Sequence, residues 1–204
     1  DLPKIHRRSF VPHWETAIAG LWPAICEMVG LHYIDPRGEA KDVIRAIAQS
    51  EMIVAESMHG AILADAFRVP WVAVTTSQSI NSFKWNDWAR TLGVSYVPRR
   101  VPVSTRAEAM IKGARFWGVD FKDEGAQLVA DPNSRVIDDG MLVANREPRQ
   151  TAIRVAAKQA LAMPSTLALW QASRAEPQLS EDAVLAERKA RLLAVMDGVR
   201  RDYF

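Results

Sequence analysis

Residues 52–75, MIVAESMHGAILADAFRVPWVAVT, decide the fold of this chain. Two apolar runs, residues 52–55 and 71–75, have the length of strands and are too short to be helices. Residues 57–60 predict a turn, and residues 61–67 predict a helix whose apolar face holds Ile62, Leu63, Ala66 and Phe67. A strand, a helix and a second strand in this order predict a βαβ unit with parallel strands.

The same alternation extends in both directions from this unit. The predicted strands are residues 9–12, 31–34, 52–55, 71–75 and 94–97, and the predicted helices are residues 15–29, 40–49, 61–67 and 80–92. Pro23 can divide the first helix, and the second is expected to bury Val43, Ile44 and Ile47. Because the strands are apolar runs rather than strict alternations, helices are expected on both faces of the sheet. The predicted fold class is α/β, with a doubly wound, mostly parallel, Rossmann-like sheet.

The second half of the chain has a different pattern. Helices are predicted over residues 105–117, 151–161 and 180–200, and the Asp-Pro-Asn-Ser sequence at residues 131–134 predicts a turn. The apolar side chains that share one face of the last helix are Leu185, Leu192, Met196 and Val199. We therefore expect a Rossmann-like half over residues 1–104 and a mainly helical C-terminal extension over residues 105–204.

Composition and charge exclude several classes of protein. The 204 residues are 49% hydrophobic and 25% charged, which is the balance of a globular chain rather than a disordered one. The single cysteine, Cys26, excludes an intramolecular disulfide framework, and four scattered histidines offer little for a metal cage. The net charge of +2 argues against nucleic acid as a partner. No apolar stretch of the sequence approaches the roughly 20 residues of a membrane-spanning helix.

Three common catalytic motifs are missing from the sequence. It contains no P-loop, no Gly-x-Gly-x-x-Gly after the first strand and no Gly-x-Ser-x-Gly elbow. These absences argue against a P-loop NTPase, against ordinary dinucleotide binding and against an α/β-hydrolase.

Four short segments follow the carboxyl ends of predicted strands, where the ligands of open parallel sheets bind. They are residues 12–13, 35–37, 56–60 and 75–78. Together they bring histidines, an arginine, carboxylates and several hydroxyls to one crevice. The sequence therefore predicts that the functional site lies at this edge of the sheet.

Residues 56–60 carry the most chemistry of the four segments. Gly60 allows the backbone to approach a ligand closely, and the following helix offers unpaired N–H groups to an anion. His59 adds a titratable imidazole. The alternative, which the spacing alone slightly favours, is that Ser57 caps the helix and His59 only completes a turn.

The other candidates carry less information on their own. His13 follows the first strand, and Arg37 can either clamp an anion or remain a solvated loop charge. Trp85 and Trp88 lie beside polar residues and can either stack on a sugar or pack in the core. Arg68 lies at the far end of its helix, which indicates a structural role.

Residues 54–71, VAESMHGAILADAFRVPW, resemble the core signature of the polysaccharide pyruvyl transferase family. The sequences Phe-Val-Pro-His at 10–13, Asp-Pro-Arg at 35–37 and Lys-Trp-Asn-Asp-Trp at 84–88 are similar to that family as well. The similarity is closest to the branch that acts in the synthesis of the exopolysaccharide succinoglycan. The resemblance covers about residues 6–100.

The resemblance implies a GT-B-like architecture, of which this chain holds the donor-binding half, and phosphoenolpyruvate as the donor. A pyruvyl group is joined as a ketal to two hydroxyls of a sugar in a lipid-linked oligosaccharide or polysaccharide, and phosphate leaves. This scheme requires no metal and no cofactor besides the donor substrate. Since members of the family are longer, we also expect that a preceding N-terminal half is absent from this chain.

The resemblance also implies roles for individual residues. The motif histidine of the family maps onto His59 as the general acid. Many members carry an arginine two positions earlier, where this chain has Ser57, so either Arg37 or Lys84 replaces it at the donor carboxylate or this branch uses another arrangement. The residues expected to bind substrate are His13, Arg37, Glu56, Ser57, Gly60, Ser77 and Lys84.

Two other functions remain open at this point. A GT-B-like glycosyltransferase would bind a nucleotide sugar in the same crevice, and a carbohydrate-binding module would stack Trp85 and Trp88 on a sugar. We expect the protein in the cytoplasm. The basic segment at residues 98–101 and the charged last helix leave open a peripheral contact with the inner face of the membrane.

Overall fold

The computed structural model describes residues 2–77, 81–121 and 159–203. The strands of the main sheet are β1 (Ser9–Val11), β2 (His32–Tyr33), β3 (Ile53–Ala55), β4 (Trp71–Thr75) and β5 (Arg99–Arg100), and β6 (Arg115–Phe116) and β7 (Val119–Asp120) form a hairpin. The helices are α1 (Trp14–Ala19), α2 (Trp22–Val29), α3 (Ala40–Ala48), α4 (Met58–Ala66), α5 (Ser82–Thr91), α6 (Arg106–Lys112), α7 (Met163–Ala172) and α8 (Asp182–Tyr203).

The main sheet is parallel throughout, in the order β2-β1-β3-β4-β5. The chain moves outward from β1 to β2 and then returns past β1 to β3, so the direction of winding reverses between β1 and β3. Ligands of doubly wound sheets bind at the carboxyl side of such a reversal. The predicted α/β class and the doubly wound parallel sheet are confirmed, and the place of the sheet in a GT-B-like architecture stays a prediction.

Helices cover both faces of the sheet, which explains why its strands are apolar runs. On one face Phe10 and Val54 pack with Trp22 of α2 and Leu169 of α7. The second face is covered by α3, α4 and α5 and contains the buried side chains Val11, Ile47, Ile53, Ala61, Trp71 and Trp85. The C-terminal α7 therefore shares a core with the residues that precede position 104.

The first predicted helix, residues 15–29, is two helices in the structure. The break falls at Gly20, which has extended backbone, and Pro23 lies in the first turn of α2, where a proline costs no hydrogen bond. A Cβ atom at Gly20 would lie 2.1 Å from the indole of Trp22. Only glycine therefore allows the chain to turn here and bury Trp22 completely.

Two predicted apolar faces are partly wrong. In α3, Ile47 is fully buried, but Ile44 is exposed and Val43 is only half-buried. In α4, the buried side chains are Ala61, Ala64 and Asp65, whereas Ala66 and Phe67 are exposed. The small alanines let α4 approach the sheet closely, and Asp65 is drawn inward because it accepts hydrogen bonds from Trp71 and Ser180.

The start of α4 and the last strand also differ from the prediction. Helix α4 begins at Met58, so residues 57–60 are its cap and first turn rather than a separate turn. The last strand of the sheet is Arg99–Arg100, which pairs with Val74 and Thr75, and not residues 94–97. Within 94–97, Tyr96 stacks on Trp85 of α5 at 4.5 Å between ring centroids, which holds this segment against the helix.

The C-terminal half is less uniformly helical than predicted. Helix α6 ends at Gly113 (φ 56°), and the β6–β7 hairpin follows where the prediction continued the helix to residue 117. Helix α8 confirms the last predicted helix, but Leu192, Met196 and Val199 on its apolar face are exposed. The predicted turn at 131–134 and most of the predicted helix at 151–161 lie outside the described residues.

Arg68 has the structural role that the sequence indicated. Its guanidinium donates to the carbonyl oxygen of Ser180 at 2.5 Å and to the hydroxyl of Ser180 at 3.0 Å, and it lies 2.6 Å from the Asp182 carboxylate. Gln178 and Trp71 exchange two backbone hydrogen bonds of 2.9 Å. These contacts bind the segment before α8 to the amino-terminal end of β4 and to the end of α4.

None of the helices in the described part of the chain has the length and apolar character needed to cross a membrane.

Candidate functional site

An open crevice lies at the carboxyl ends of the strands, as the topology predicts. It is lined by residues that follow β1, β3 and β4, by the first turns of α4 and α5, and by β5, the end of α6 and the β6–β7 hairpin. The structure brings the predicted general acid His59 to this crevice, together with five of the residues expected to bind substrate: His13, Glu56, Ser57, Ser77 and Lys84. Arg37 and Gly60 do not line it.

His59 is exposed on the first turn of α4, at the mouth of the crevice. Ser57 is the N-cap of this helix and accepts a 3.3 Å hydrogen bond from the N–H of Gly60, so the capping interpretation of Ser57 is confirmed. The N–H groups of Met58 and His59 belong to the first turn, where a helix supplies no acceptor of its own. The positive end of the helix dipole therefore lies beside the imidazole.

Gly60 is needed for packing. A Cβ atom at this position would lie 3.0 Å from Cγ1 and 3.2 Å from Cβ of Val11. Since its N–H already binds Ser57, Gly60 lets α4 lie close to β1 and offers no donor to a ligand. The unpaired N–H donors expected at the start of this helix are therefore those of the two preceding residues.

Glu56 lies in the floor of the crevice with a side chain that solvent does not reach. Its Oε2 accepts the backbone N–H of His13 at 2.9 Å, and its Oε1 accepts the backbone N–H of Thr76 at 3.3 Å and the hydroxyl of Thr76. Both oxygens are thus engaged by the protein. Glu56 connects the loops that follow β1 and β4 to the end of β3.

Lys112, which the sequence analysis missed, lies beneath the same crevice. Its Nζ is 2.8 Å from Oε1 of Glu56 and also donates to the hydroxyls of Thr16 and Thr76. Burial acts to raise the pKa of Glu56, but the charge and hydrogen bonds of Lys112, with the two threonine hydroxyls, outweigh it and lower that pKa below the ordinary value. The contact with Lys112 therefore favours the ionised form of Glu56.

Besides Lys112, the described residues that line the crevice include the cations Lys84 on α5, Arg100 on β5 and Arg115 on β6. Within the ranges that the structure describes, Lys84 and Arg100 have no acidic partner. Arg100 is in register with Thr75, which also lines the crevice. The sequence left open a peripheral membrane contact for the segment that contains Arg100, and in the structure this side chain lines the crevice.

His13 is the N-cap residue of α1 and lines the crevice with a half-exposed imidazole. Its Nδ1 lies 3.5 Å from Oε2 of Glu15. The hydrogen bond with His13 lowers the pKa of Glu15, which burial alone would raise. The two residues form a histidine–carboxylate pair beside the winding reversal of the sheet.

Arg37 is bound by Asp35, two residues earlier in the loop after β2. Its Nη2 lies 2.6 Å from Oδ2 and its Nε lies 2.9 Å from Oδ1 of that carboxylate. Hydrogen bonds with Arg37 hold the pKa of Asp35 below its usual value. Arg37 is thus neutralised outside the crevice, which leaves Lys84 as the better placed of the two predicted carboxylate-binding residues.

Trp85 and Trp88 belong to an aromatic cluster with Trp71 and Tyr96. Only 3% of Trp85 is exposed, which favours the alternative that this side chain packs in the core. Its ring fills the interior because α5 presents it to the sheet face that carries Trp71.

Ser77 lines the crevice at the end of β4, and its carbonyl oxygen accepts a 2.7 Å hydrogen bond from the Thr75 hydroxyl. Across residues 2–77, 81–121 and 159–203, no three His, Cys, Asp or Glu side chains converge as metal ligands would.

Comparison with known proteins agrees with the resemblance seen in the sequence. Residues 24–78, which include β3 and the first turn of α4, match the polysaccharide pyruvyl transferase family. The chain is 76% identical over 203 residues to the succinoglycan biosynthesis protein ExoV of Rhizobium meliloti (strain 1021), and it spans 64% of the length of that relative. No solved structure matches the chain. Residues 24–78 are thus similar to the polysaccharide pyruvyl transferase family, and the chain is similar to a relative of which it spans less than two thirds.

Proposed function

We propose that this chain takes part in transferring a pyruvyl group from phosphoenolpyruvate to two hydroxyls of a sugar during the synthesis of an exopolysaccharide. The family match and the name of the relative support a pyruvyl transfer role. The observation that carries the proposal is the exposed His59 on the first turn of α4, in a crevice whose walls carry Lys84 and Arg100.

The crevice would hold the donor by its negative charges. Phosphoenolpyruvate carries a phosphate and a carboxylate, and each needs a cation or N–H donors in a site of reduced solvent access. The first turn of α4 suits the phosphate, and Lys84 and Arg100 suit the carboxylate. Many family members have an arginine at the position of Ser57. In this chain Lys84 and Arg100 would bind the donor carboxylate in place of that arginine.

The proposed reaction begins with protonation of the donor. His59 gives a proton to C3 of the enol, while the oxygen of one sugar hydroxyl forms a bond to C2. His13, oriented by Glu15, accepts the proton of that hydroxyl. The methyl group of the pyruvyl unit is formed in this step, and C2 then carries both the phosphate and the sugar oxygen.

The ketal closes in a second step. The bond between C2 and the phosphate oxygen breaks, and the phosphate leaves with the electron pair. The oxygen of the second sugar hydroxyl then forms a bond to C2, and its proton passes to the imidazole of His59, which gave up its own proton in the first step. The products are the cyclic ketal and inorganic phosphate, and fixed N–H donors at α4 would stabilise the charge on the departing phosphate without reorganisation.

Turnover tests the proposal directly. The chain, and the longest natural form that contains it, are incubated with phosphoenolpyruvate and with succinoglycan oligosaccharides whose pyruvyl groups have been removed by mild acid. We expect the oligosaccharide to gain a pyruvyl ketal, detected by mass spectrometry, with release of one phosphate for each ketal. Addition of a sugar from a nucleotide sugar, with no use of phosphoenolpyruvate, would instead identify a glycosyltransferase.

A further inference from the structure

The Glu56–Lys112 pair is unusual in how many parts of the fold meet at it. Lys112 ends α6, Glu56 follows β3, Thr16 belongs to α1 and Thr76 follows β4. Glu56 also holds the backbone N–H of His13, which follows β1. Three strand ends and two helices are therefore joined through two side chains, of which 2% of Lys112 and none of Glu56 is exposed.

The hydrogen-bonding capacity of Lys112 is used up inside the protein. An ammonium group has three N–H donors, and Lys112 makes three bonds, to Thr16, Glu56 and Thr76. It therefore has no N–H left to bind a substrate, although it lies under the crevice. Its charge keeps Glu56 ionised, and an ionised carboxylate accepts two backbone N–H groups more strongly than a neutral one.

A buried ion pair is poor evidence of a stabilising device, because apolar side chains of similar volume often serve stability as well. What apolar side chains cannot do is accept the N–H groups of His13 and Thr76. The pair thus has a property that packing would not replace: it fixes the backbone of two loops against the end of β3. These loops carry His13 and Ser77, and β3 leads directly into His59.

We propose that Glu56 and Lys112 are positioning residues, which hold the loops after β1 and β4 so that His13 and Ser77 face His59 across the crevice. The part of this inference that concerns the ligand rests on the proposed function. The part that concerns the loops rests on the hydrogen bonds alone.

The test uses a double variant, Glu56→Leu with Lys112→Met, which removes both charges together and leaves neither unpaired. Hydrogen exchange of the His13 and Thr76 amides is followed by NMR, with the melting temperature measured in parallel. We expect both amides to exchange at least tenfold faster relative to the amides of β3, in a protein that still melts cooperatively. Unchanged protection of both amides would overturn the proposal. Should the double variant not fold, Glu56→Gln, which keeps an acceptor for only one amide, is judged by the same criterion.

Phosphoenolpyruvate affinity is the second measurement, by calorimetric titration. The matched control is Glu108→Gln, because Glu108 lies one turn before Lys112 and is as buried as Glu56, and within the described part of the chain its carboxylate accepts hydrogen bonds from Trp22 and Ser104 rather than from a crevice loop. We expect the double variant to bind at least tenfold more weakly than this control. Equal affinity in the two variants would overturn the link between the pair and the site. If the unaltered chain bound no phosphoenolpyruvate, the proposed function would fail, and the amide exchange would still decide the positioning role.

Discussion

Glu56 and His59 are three residues apart at the carboxyl end of β3, yet the carboxylate of Glu56 is buried against Lys112 and His59 is exposed to solvent. The N-cap at Ser57 separates them, because the chain leaves the strand and enters α4 at this point. One residue therefore faces the interior and the other faces the crevice. The two are expected to respond very differently to substitution.

Stability measurements separate these two roles. Glu56→Gln leaves the buried Lys112 charge without its partner, and we expect it to lower the free energy of unfolding by about 3–5 kcal/mol. His59→Gln changes an exposed side chain and should alter it by no more than about 0.5 kcal/mol. Urea denaturation of both variants checks this. A comparable loss in His59→Gln would mean that the imidazole belongs to the core.

Glu108 should give the stability of the protein a specific pH dependence. Burial raises its pKa to about 7, although Lys112 and the hydrogen bonds from Ser104 act to lower it. The folded protein then holds a proton that the unfolded chain loses near its ordinary pKa of 4.5. The contribution of Glu108 is therefore fully present below that value and falls as the pH rises toward 7, by on the order of 3 kcal/mol.

Glu108→Gln isolates this contribution. The pKa values of Glu56 and Glu15 are lowered, so these groups make the protein more stable as the pH rises. Because they are present in both the parent and the variant, their effect cancels in the difference between the two unfolding free energies. We expect the difference in unfolding free energy between variant and parent to move in favour of the variant between pH 5 and pH 8. A difference that stays constant over this range would show that Glu108 is ionised throughout it.

The segment before α8 should depend on Asp65. Its carboxylate accepts the indole N–H of Trp71 at 3.0 Å, the backbone N–H of Ser180 at 3.1 Å and the Ser180 hydroxyl at 2.5 Å. Asp65→Ala leaves these buried donors without an acceptor, so we expect a loss of about 2–5 kcal/mol in urea denaturation. Asp87→Ala on the exposed face of α5 is the matched control and should cost little. Equal effects of the two substitutions would contradict this role.

The cations of the crevice should differ from Arg37 in their effect on ligand binding. Arg100→Ala and Lys84→Ala each remove a charge-assisted hydrogen bond to the donor, so we expect phosphoenolpyruvate to bind roughly 10–100-fold more weakly. Arg37→Ala should change the affinity by less than about twofold, because Asp35 already neutralises that arginine outside the crevice. Calorimetric titration of the three variants decides this. A large loss in Arg37→Ala alone would move the donor site to the end of β2.

The central part of the fold can be predicted from sequence because its strands are buried on both faces. The apolar runs at β3 and β4 predict strands from local sequence alone, and the apolar spacing between them predicts the intervening helix in the same way. Strand β5 could not be found this way, since its two residues are arginines and its pairing comes from the backbone of β4. The start of α4 was misplaced because Ser57 can begin a turn as readily as a helix.

The site was predicted in part for a similar reason. The rule that ligands bind at the carboxyl ends of parallel strands identifies His13, Glu56 and His59 from local sequence. Lys112 gave no such signal: a lysine just before Gly113 is ordinary at the end of a helix, and its partner is 56 residues away in the chain. Arg100 lines the crevice because β5 pairs with β4, and the sequence does not predict this pairing.

The most direct test of the central claim is a calorimetric titration of phosphoenolpyruvate, and separately of UDP-glucose, into the unaltered chain and into His59→Gln. We predict saturable binding of phosphoenolpyruvate that weakens at least tenfold in His59→Gln, and no saturable heat from UDP-glucose. Binding of UDP-glucose without binding of phosphoenolpyruvate, or equal phosphoenolpyruvate affinity in both proteins, would contradict a pyruvyl donor site centred on His59.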